Sequence, residues 1–519
     1  MYTPMKIKIY SFGASIFLFS IFLFLPSPAS AATEISGTIS TNTIWTAGNS
    51  PYIINGVLTI SASTTLSIDS GVVVKFKHNQ SKLDVYGALQ VNGTNDNKVY
   101  FTSYKDDTVG GDTNADGNTS LPLPKDWRQI TVYPNASMNV NYSIIRYGEN
   151  MPLSCSGNLC FGVVHNKGNL NINNSEITKN DQYGIYQTAG TSVIDSSIID
   201  NHTKIGIYAE AGNITVSNST VSNHILRGMS VIGNSNLTLD NNIFAGNTID
   251  ADIYATVNFT HSNNTSESGT GRGFFIRGDI THDAIWTSDN MPYIVNGYLG
   301  VLANNTFTIK PGAIIKFAHN QSILNVSGTL NVEGTKENKV YFTSFKDDEV
   351  AGDTNGNSSA TLPAKNDWLS ILINPGAMAN IDNAVIKYGG YTQYYCPYST
   401  CYGAINNRGN LNLTNSELTK NGTYGIYQTA GTSNIDKTII SEHSMGIVLS
   451  VNSSFLTIHN SSIFNNTSYG IINSSVNVVD AINNNGVLNV TAGISGDRIT
   501  IKNETGNSLD IQNATADTT

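Results

Sequence analysis

Charge is scarce in this sequence. Only 13% of its 519 residues are Asp, Glu, Lys or Arg, and 28 basic residues face 38 acidic ones. With no clustered basic stripe, that balance excludes the electrostatic footprint of a nucleic-acid binder or of a protein drawn to an anionic membrane surface. Helical periodicity is nearly absent beyond the first 31 residues. No apolar run after Leu25 is long enough to span a bilayer as a helix. Cysteine is limited to Cys155, Cys160, Cys396 and Cys401, two copies of C-x4-C. The second copy has no thiolate or imidazole nearby in sequence to complete a metal site, so each pair is expected to form a local disulfide in an oxidising compartment.

The compartment is read from the N-terminus. Lys6 and Lys8 precede an apolar run, Ser15 to Leu25, and Ala29-Ser30-Ala31 has the small residues of a cleavage site. Residues 1–31 are therefore expected to be a secretory leader rather than a membrane anchor. Its removal takes two lysines and no acids, shifting the formal charge from −10 to −12. The expected product is an acidic protein, secreted or held at the cell surface, with no transmembrane helix and no nucleic-acid partner.

Asn, Ser, Thr, Gly and Ile are plentiful, a mixture that disordered chains share, but here the apolar residues are regularly placed. The sequence repeats itself on two scales. Trp45 matches Trp286, His78 matches His319, Asp112 matches Asp353, Trp127 matches Trp368 and Cys155 matches Cys396, every pair 241 residues apart. The register holds without a gap from Gly37/Gly278 to His202/His443, which implies a tandem duplication with units at 32–277 and 278–519. A finer period of 22 lies inside each unit. Gly168, Gly190 and Gly212 follow it, as do Ile172, Ile194 and Val216, then Ile177, Ile199 and Val221, then Gly184, Gly206 and Gly228.

Within each 22-mer, stretches such as NLNINNSEI and NITVSNSTV alternate apolar and polar residues between Gly and Asn. That is strand patterning. A β repeat this short cannot bury its apolar face alone, so the repeats must stack about 4.8 Å apart, with the Ile/Val/Leu columns inside. Glycine and asparagine are expected at corners that need positive φ. The fold class is all-β, a parallel β-helix.

These Gly-x-x-x-Ile coils resemble the right-handed parallel β-helix repeats of the pectate-lyase-like superfamily. The front of each unit, IWTAGNSPYIINGVLTI through GVVVKF, VYFTSYKDDTVGGDTNADG and KDWRQI, is similar to segments of bacterial and archaeal β-helix surface proteins. The resemblance implies the fold over essentially the whole chain after residue 31. It implies no single activity, since the superfamily holds lyases, hydrolases, epimerases, adhesins and passive scaffolds.

Acids are concentrated in two places, KDDTVGGDTNADG at Lys105–Gly117 and KDDEVAGDTNGNS at Lys346–Ser358, within loops 105–127 and 346–368. Asp112, Asn114 and Asp116 occupy positions 1, 3 and 5 of a turn with Gly117 at position 6, the first half of an EF-hand-type loop. A hard cation takes six to eight oxygens, and alternate residues of a tight turn aim several inward. Leu123 stands where the position-12 Glu belongs, so Asp106, Asp107 or Asp126 would have to supply a carboxylate. The second loop offers Asp353, Asn355 and Asn357, with Ser358 in place of glycine. The expectation is calcium in the first loop and a weaker site in the second, against the alternative of a solvated acidic turn.

Other candidates point less far. Lys75-Phe76-Lys77-His78 and its copy at Lys316–His319 could supply acid–base groups, but with no acid partner nearby in sequence they are read as strand-end and corner residues. Lyases of the resembled class use an Arg or Lys base beside carboxylate-bound calcium. Arg146 and Lys387 are matched basic residues, yet no clustered acids accompany them, and no catalytic residue is assigned. The four tryptophans are expected to be buried; Tyr186 and Tyr427 are left open between packing and sugar stacking. The expected function is a secreted or surface scaffold or adhesin-like module, stabilised by calcium and contacting extracellular or cell-envelope polysaccharide. The alternative is a polysaccharide lyase or glycoside hydrolase.

Overall fold

The computed structural model describes residues 32–149, 162–391, 402–450 and 455–473, together with the backbone of four short strands, Val479–Asn483, Asn489–Val490, Ile494–Ser495 and Ile499–Asn503. The leader expected at 1–31 and all four cysteines lie outside the described residues. Among the described residues, no helix is long and apolar enough to cross a membrane.

The chain winds into a right-handed parallel β-solenoid of about 18 turns. One coil shows the plan. Asn169–Asn173 lies on a first face, Glu176–Thr178 on a second and Tyr183–Gln187 on a third. The next coil repeats them as Thr191–Asp195, Ile198–Asp200 and Ile205–Ala209. Pairing is parallel, with Ile172 beside Ile194 and Val216, and Ile177 beside Ile199 and Val221. The 22-residue sequence period is thus the coil, and its apolar columns are the fully buried interior. Burying each such side chain contributes about 1.5–3 kcal/mol. Trp45, Trp127, Trp286 and Trp368 are all buried, Trp127 and Trp368 stacked on Phe76 and Phe317.

The corner residues divide into two kinds. Asn174, Ser196, Asn218, Asn241 and Asn263 adopt positive φ at successive coils, and Gly190 and Gly212 do the same at another corner. Gly184, Gly206 and Gly228 do not, so the expectation that glycine sits at corners needing positive φ does not extend to this column. They make room for a buried polar ladder. A Cβ on Gly184 would lie 2.8 Å from His202 Nε2, one on Gly206 2.7 Å from His224 Nε2, and one on Gly228 2.9 Å from Asn247 Nδ2. The ladder runs Asn180–His202–His224–Asn247, with contacts of 3.3, 3.1 and 2.9 Å. Asn247 Oδ1 accepts from His224 Nδ1–H, so His224 Nε2 accepts from His202 Nδ1–H and His202 Nε2 from Asn180. Asn421, His443 and Asn466 repeat the device later in the chain.

At the junction near residue 274 the faces shift. The third face of the first half ends with Ile249–Tyr254, where Ala251 pairs with Phe274 and Ile253 with Ile276. Phe274 then pairs with Tyr293, Tyr293 with Ile315 and Ile315 with Phe342, which is the second face of the later coils. The first face is correspondingly split into two nine-stranded sheets, Thr43–Trp45 through Asn258–Ser262 and Ala284–Trp286 through Ile499–Asn503. Equivalent surfaces before and after the junction are therefore offset by one side of a three-sided coil. A buried cluster marks the seam: His261 Nδ1 is 2.7 Å from Asp289, Asn264 donates to the same carboxylate, and His261 Nε2 meets the Tyr293 hydroxyl.

The opposite end is blunted. Thr33 and Glu34 occupy the positions that Phe274 and Phe275 hold at the seam, and Glu34 is paired with Lys77 at 2.8 Å. A charged, weakly apolar edge discourages another strand from adding there.

Candidate functional site

Both acidic loops leave the solenoid after a second-face strand, Val99–Ser103 or Val340–Ser344, and return into a third-face strand, Gln129–Val132 or Ser370–Ile373. In the first loop the Asp112 carboxylate accepts the backbone N–H groups of Asp116 (3.2 Å) and Gly117 (2.9 Å). Asp116 accepts those of Thr119 and Ser120 and the Asn114 amide. These bonds make the tight turn that the D-x-N-x-D-G pattern encodes, with Ala115, Gly117 and Asn118 at positive φ.

Asp107 approaches this turn from outside. One carboxylate oxygen from each of Asp107, Asp112 and Asp116 lies within 4.8 Å of the others. Burial, and then the neighbouring Asp112 and Asp116 charges, push the Asp107 carboxyl up from its usual range. Two buried oxygens here, Asp107 Oδ1 and Asn114 Oδ1, have no hydrogen-bond partner. Three carboxylates and an amide oxygen form a donor set suited to a hard divalent cation. Asp106 and Asp126 are turned to other tasks. Asp106 is fully buried and takes Arg146 at 2.7 Å, Thr102 at 2.5 Å and Thr108 at 2.6 Å. Burial opposes its charge, but those hydroxyls and the guanidinium hold its carboxyl below the usual value. Asp126 anchors the loop's return by accepting from Ser103, Lys105 and the Leu123 N–H.

The second loop keeps the turn and loses the cluster. Asp353 accepts the N–H groups of Asn357 (3.1 Å) and Ser358 (2.9 Å), and Asn355 accepts from Asn357. Ser358 holds φ at 52° where the first loop has glycine. Asn357 replaces the third carboxylate, and its Oδ1 accepts the Ala360 N–H. The face shift also seats this loop on the end of the first half, where the Arg272 N–H donates to Thr354 O at 2.8 Å. Burial works against the Asp353 charge, but the turn's N–H groups and the Arg272 guanidinium hold its carboxyl below the usual range.

Two lysines sit under the loops. Lys75 is fully buried rather than capping a strand end, and its ammonium donates to Gly111 O (2.7 Å) and Thr113 Oγ1 (3.0 Å). Lys316 does the same for Asp347 O, Gly352 O and Thr354 Oγ1. Burial lowers both, Lys316 to about 8, while the neighbouring aspartates partly offset the effect. Each is a resident cation that fastens the loop base. The repeated Lys-Phe pair was the sequence signal for them; nothing in sequence links Arg272 to a loop so far along the chain. His78 is a corner residue, its Nδ1 accepting the Gln80 N–H. Tyr186 is buried between His165 and Tyr208, whereas Tyr427 is half-buried.

A family model described as a right-handed β-helix region matches residues 161–345. The chain is a right-handed parallel β-helix. No curated protein sequence matches it. Among solved structures, the β-helix chain is similar to the Agl-KA catalytic domain at 12% identity and a TM-score of 0.25, covering 82% of this chain and 62% of that one. It thus spans less than two thirds of that relative's length. It is also similar to an alginate lyase from Paenibacillus sp. str. FPU-7 at 11% identity and a TM-score of 0.10, covering 89% and 98%.

Proposed function

We propose that this β-helix is a secreted or surface-displayed scaffold, adhesin-like in role, whose first acidic loop binds calcium and whose outer surface contacts extracellular or cell-envelope polysaccharide. The observation that carries the calcium assignment is the convergence of Asp107, Asp112 and Asp116 with two unpartnered buried oxygens beside them. The ion would neutralise carboxylates that repel one another and would hold a 23-residue excursion (105–127) against the solenoid. In the second loop Arg272 and Asn357 lessen the repulsion, so the affinity there is lower.

The scaffold role is favoured over catalysis by the way basic groups on the outer surface are used. Arg146 and Lys387, the matched candidates for a proton-abstracting base, each neutralise a buried aspartate, Asp106 at 2.7 Å and Asp347 at 2.8 Å. A group so engaged is poorly placed to take a substrate proton. Calcium titration of the protein and of Asp116→Asn tests the ion assignment. One strong site, weakened at least tenfold by the substitution, is expected; no binding, or binding indifferent to Asp116, overturns it.

A further inference from the structure

The third face of the first half carries a patch that its duplicate lacks. On Lys82–Val85, Leu83 and Val85 point into the core, which puts Lys82 and Asp84 on the outer surface. On the next strand, Gln129 and Thr131 flank buried Ile130 and lie beside Lys82 and Asp84 in register. At the following corner Tyr86 and Tyr133 stack at 4.0 Å and 13°, with Tyr86 43% exposed and the Lys167 ammonium over the Tyr133 ring at 5.7 Å.

Two acceptors in this patch are left without donors. Asp84 and Gln129 are each only 5% exposed, yet Asp84 Oδ1 and Gln129 Oε1 have no hydrogen-bond partner. Their remaining polar atoms are satisfied, Asp84 Oδ2 by Lys82 at 2.5 Å and Gln129 Nε2 by the Thr131 hydroxyl at 2.7 Å. A buried acceptor without a donor is costly, so a fold that leaves two on neighbouring strands invites a donor from outside. Lys82, about one-fifth exposed and flexible, is the side chain that can swing aside to admit one.

The duplicate closes the same surface on itself. Tyr86 and Tyr133 are replaced by Ser327 and Asn374, Asp84 by Asn325 and Gln129 by Ser370. There, Asn374 donates to Asn325 Oδ1 (2.8 Å) and Ser327 Oγ (3.0 Å), and Ser370 donates to Gly403 O. The backbone is shared and the chemistry is not.

We propose that Tyr86, Tyr133, Asp84 and Gln129 form a saccharide subsite peculiar to the first half, taking an uncharged sugar ring against the tyrosines and its hydroxyl donors on the two free acceptor oxygens. An aromatic surface beside acceptors complements the two aspects of a pyranose, its apolar C–H face and its hydroxyl rim. The unpaired carboxylate oxygen disfavours an acidic sugar at this position. The proposal rests on the polysaccharide-contact reading and narrows it to one face and one class of ring.

The test is calorimetric titration of the full chain and of the double variant Tyr86→Ser/Tyr133→Asn. The probes are hexasaccharides of β-1,4-glucan, β-1,4-mannan and α-1,6-glucan, with a polyuronate hexasaccharide in parallel. Both replacements are residues the duplicate already carries on the same backbone, so the variant retains its fold, and an unchanged melting temperature verifies this. Binding of a neutral hexasaccharide that weakens about tenfold in the double variant, and also weakens in Asp84→Asn, is expected. Neutral-sugar binding indifferent to the double variant, or binding of the polyuronate alone, overturns the subsite while leaving polysaccharide contact standing. Binding of none of the four probes overturns the subsite together with the reading on which it rests.

Discussion

Gly206 meets Gly228 O at 2.6 Å and His224 Nε2 at 2.7 Å if given a Cβ, whereas Gly48 meets nothing within 4 Å. Gly206→Ala should therefore destabilise the fold by about 1–3 kcal/mol and Gly48→Ala by no more than about 0.5 kcal/mol; chemical denaturation of the two variants checks the contrast. The same ladder and its later counterpart at His443 give a pH dependence. Burial drives His202 well below the ordinary imidazole value, and drives His224 and His443 down to about 4. Their folded pKa values lie below the unfolded value of 6.5, so unfolding takes up protons in that interval. Stability from these residues is complete above about pH 6.5 and is lost as pH falls toward 4. Each contributes a slope approaching about 1.4 kcal/mol per pH unit. His224→Asn, which installs the amide the ladder uses at its two ends, should flatten part of that slope in denaturation curves between pH 7 and 4. The glycine column was legible in the sequence, but its reason was not, because the period shows that a position matters and not what lies opposite it.

At the scale of the element, the two loops separate what a motif specifies from what its setting decides. The D-x-N-x-D-G pattern dictates a turn in which a leading carboxylate caps later N–H groups, and both loops build it. Which outside aspartate joins the turn was not decidable from spacing: Asp106, Asp107 and Asp126 are all within reach in sequence. The solenoid decides, because Arg146 on the neighbouring coil claims Asp106 and Lys105 claims Asp126. Lys75 fastens the first loop from beneath without an ion pair. Lys75→Met should therefore leave the Gly111 carbonyl and Thr113 hydroxyl without their donor, lower stability by about 1–3 kcal/mol, and raise protease cleavage within 105–127. Limited proteolysis followed by mass spectrometry reads this directly.

Across the whole molecule, the strand pattern, the 22-residue coil and the apolar interior could all be read from the sequence, since each follows from periodicity in side chains that face inward. The one-face shift at the seam could not. It arises because Phe274–Ile276 pair with the third face behind them and with Tyr293–Val295, the second face, ahead, while Gly278–Ile280 begin the third face again, and no local pattern announces that. The shift turns equivalent loops to different sides of the solenoid and brings the second against Arg272, which adds to the loss of a carboxylate at Asn357 in making the second loop the weaker of the two proposed cation sites. That difference is the centre of the account. Thermal unfolding of residues 32–519 with calcium and with chelator tests it most directly, alongside Asp116→Asn and Asp353→Asn. An ion present at one hundred times its Kd adds about 2.7 kcal/mol. Calcium should raise the melting temperature of the parent and of Asp353→Asn, and Asp116→Asn should lose the increment. An unchanged melting temperature in the parent, or an increment that survives Asp116→Asn and vanishes in Asp353→Asn, would contradict it.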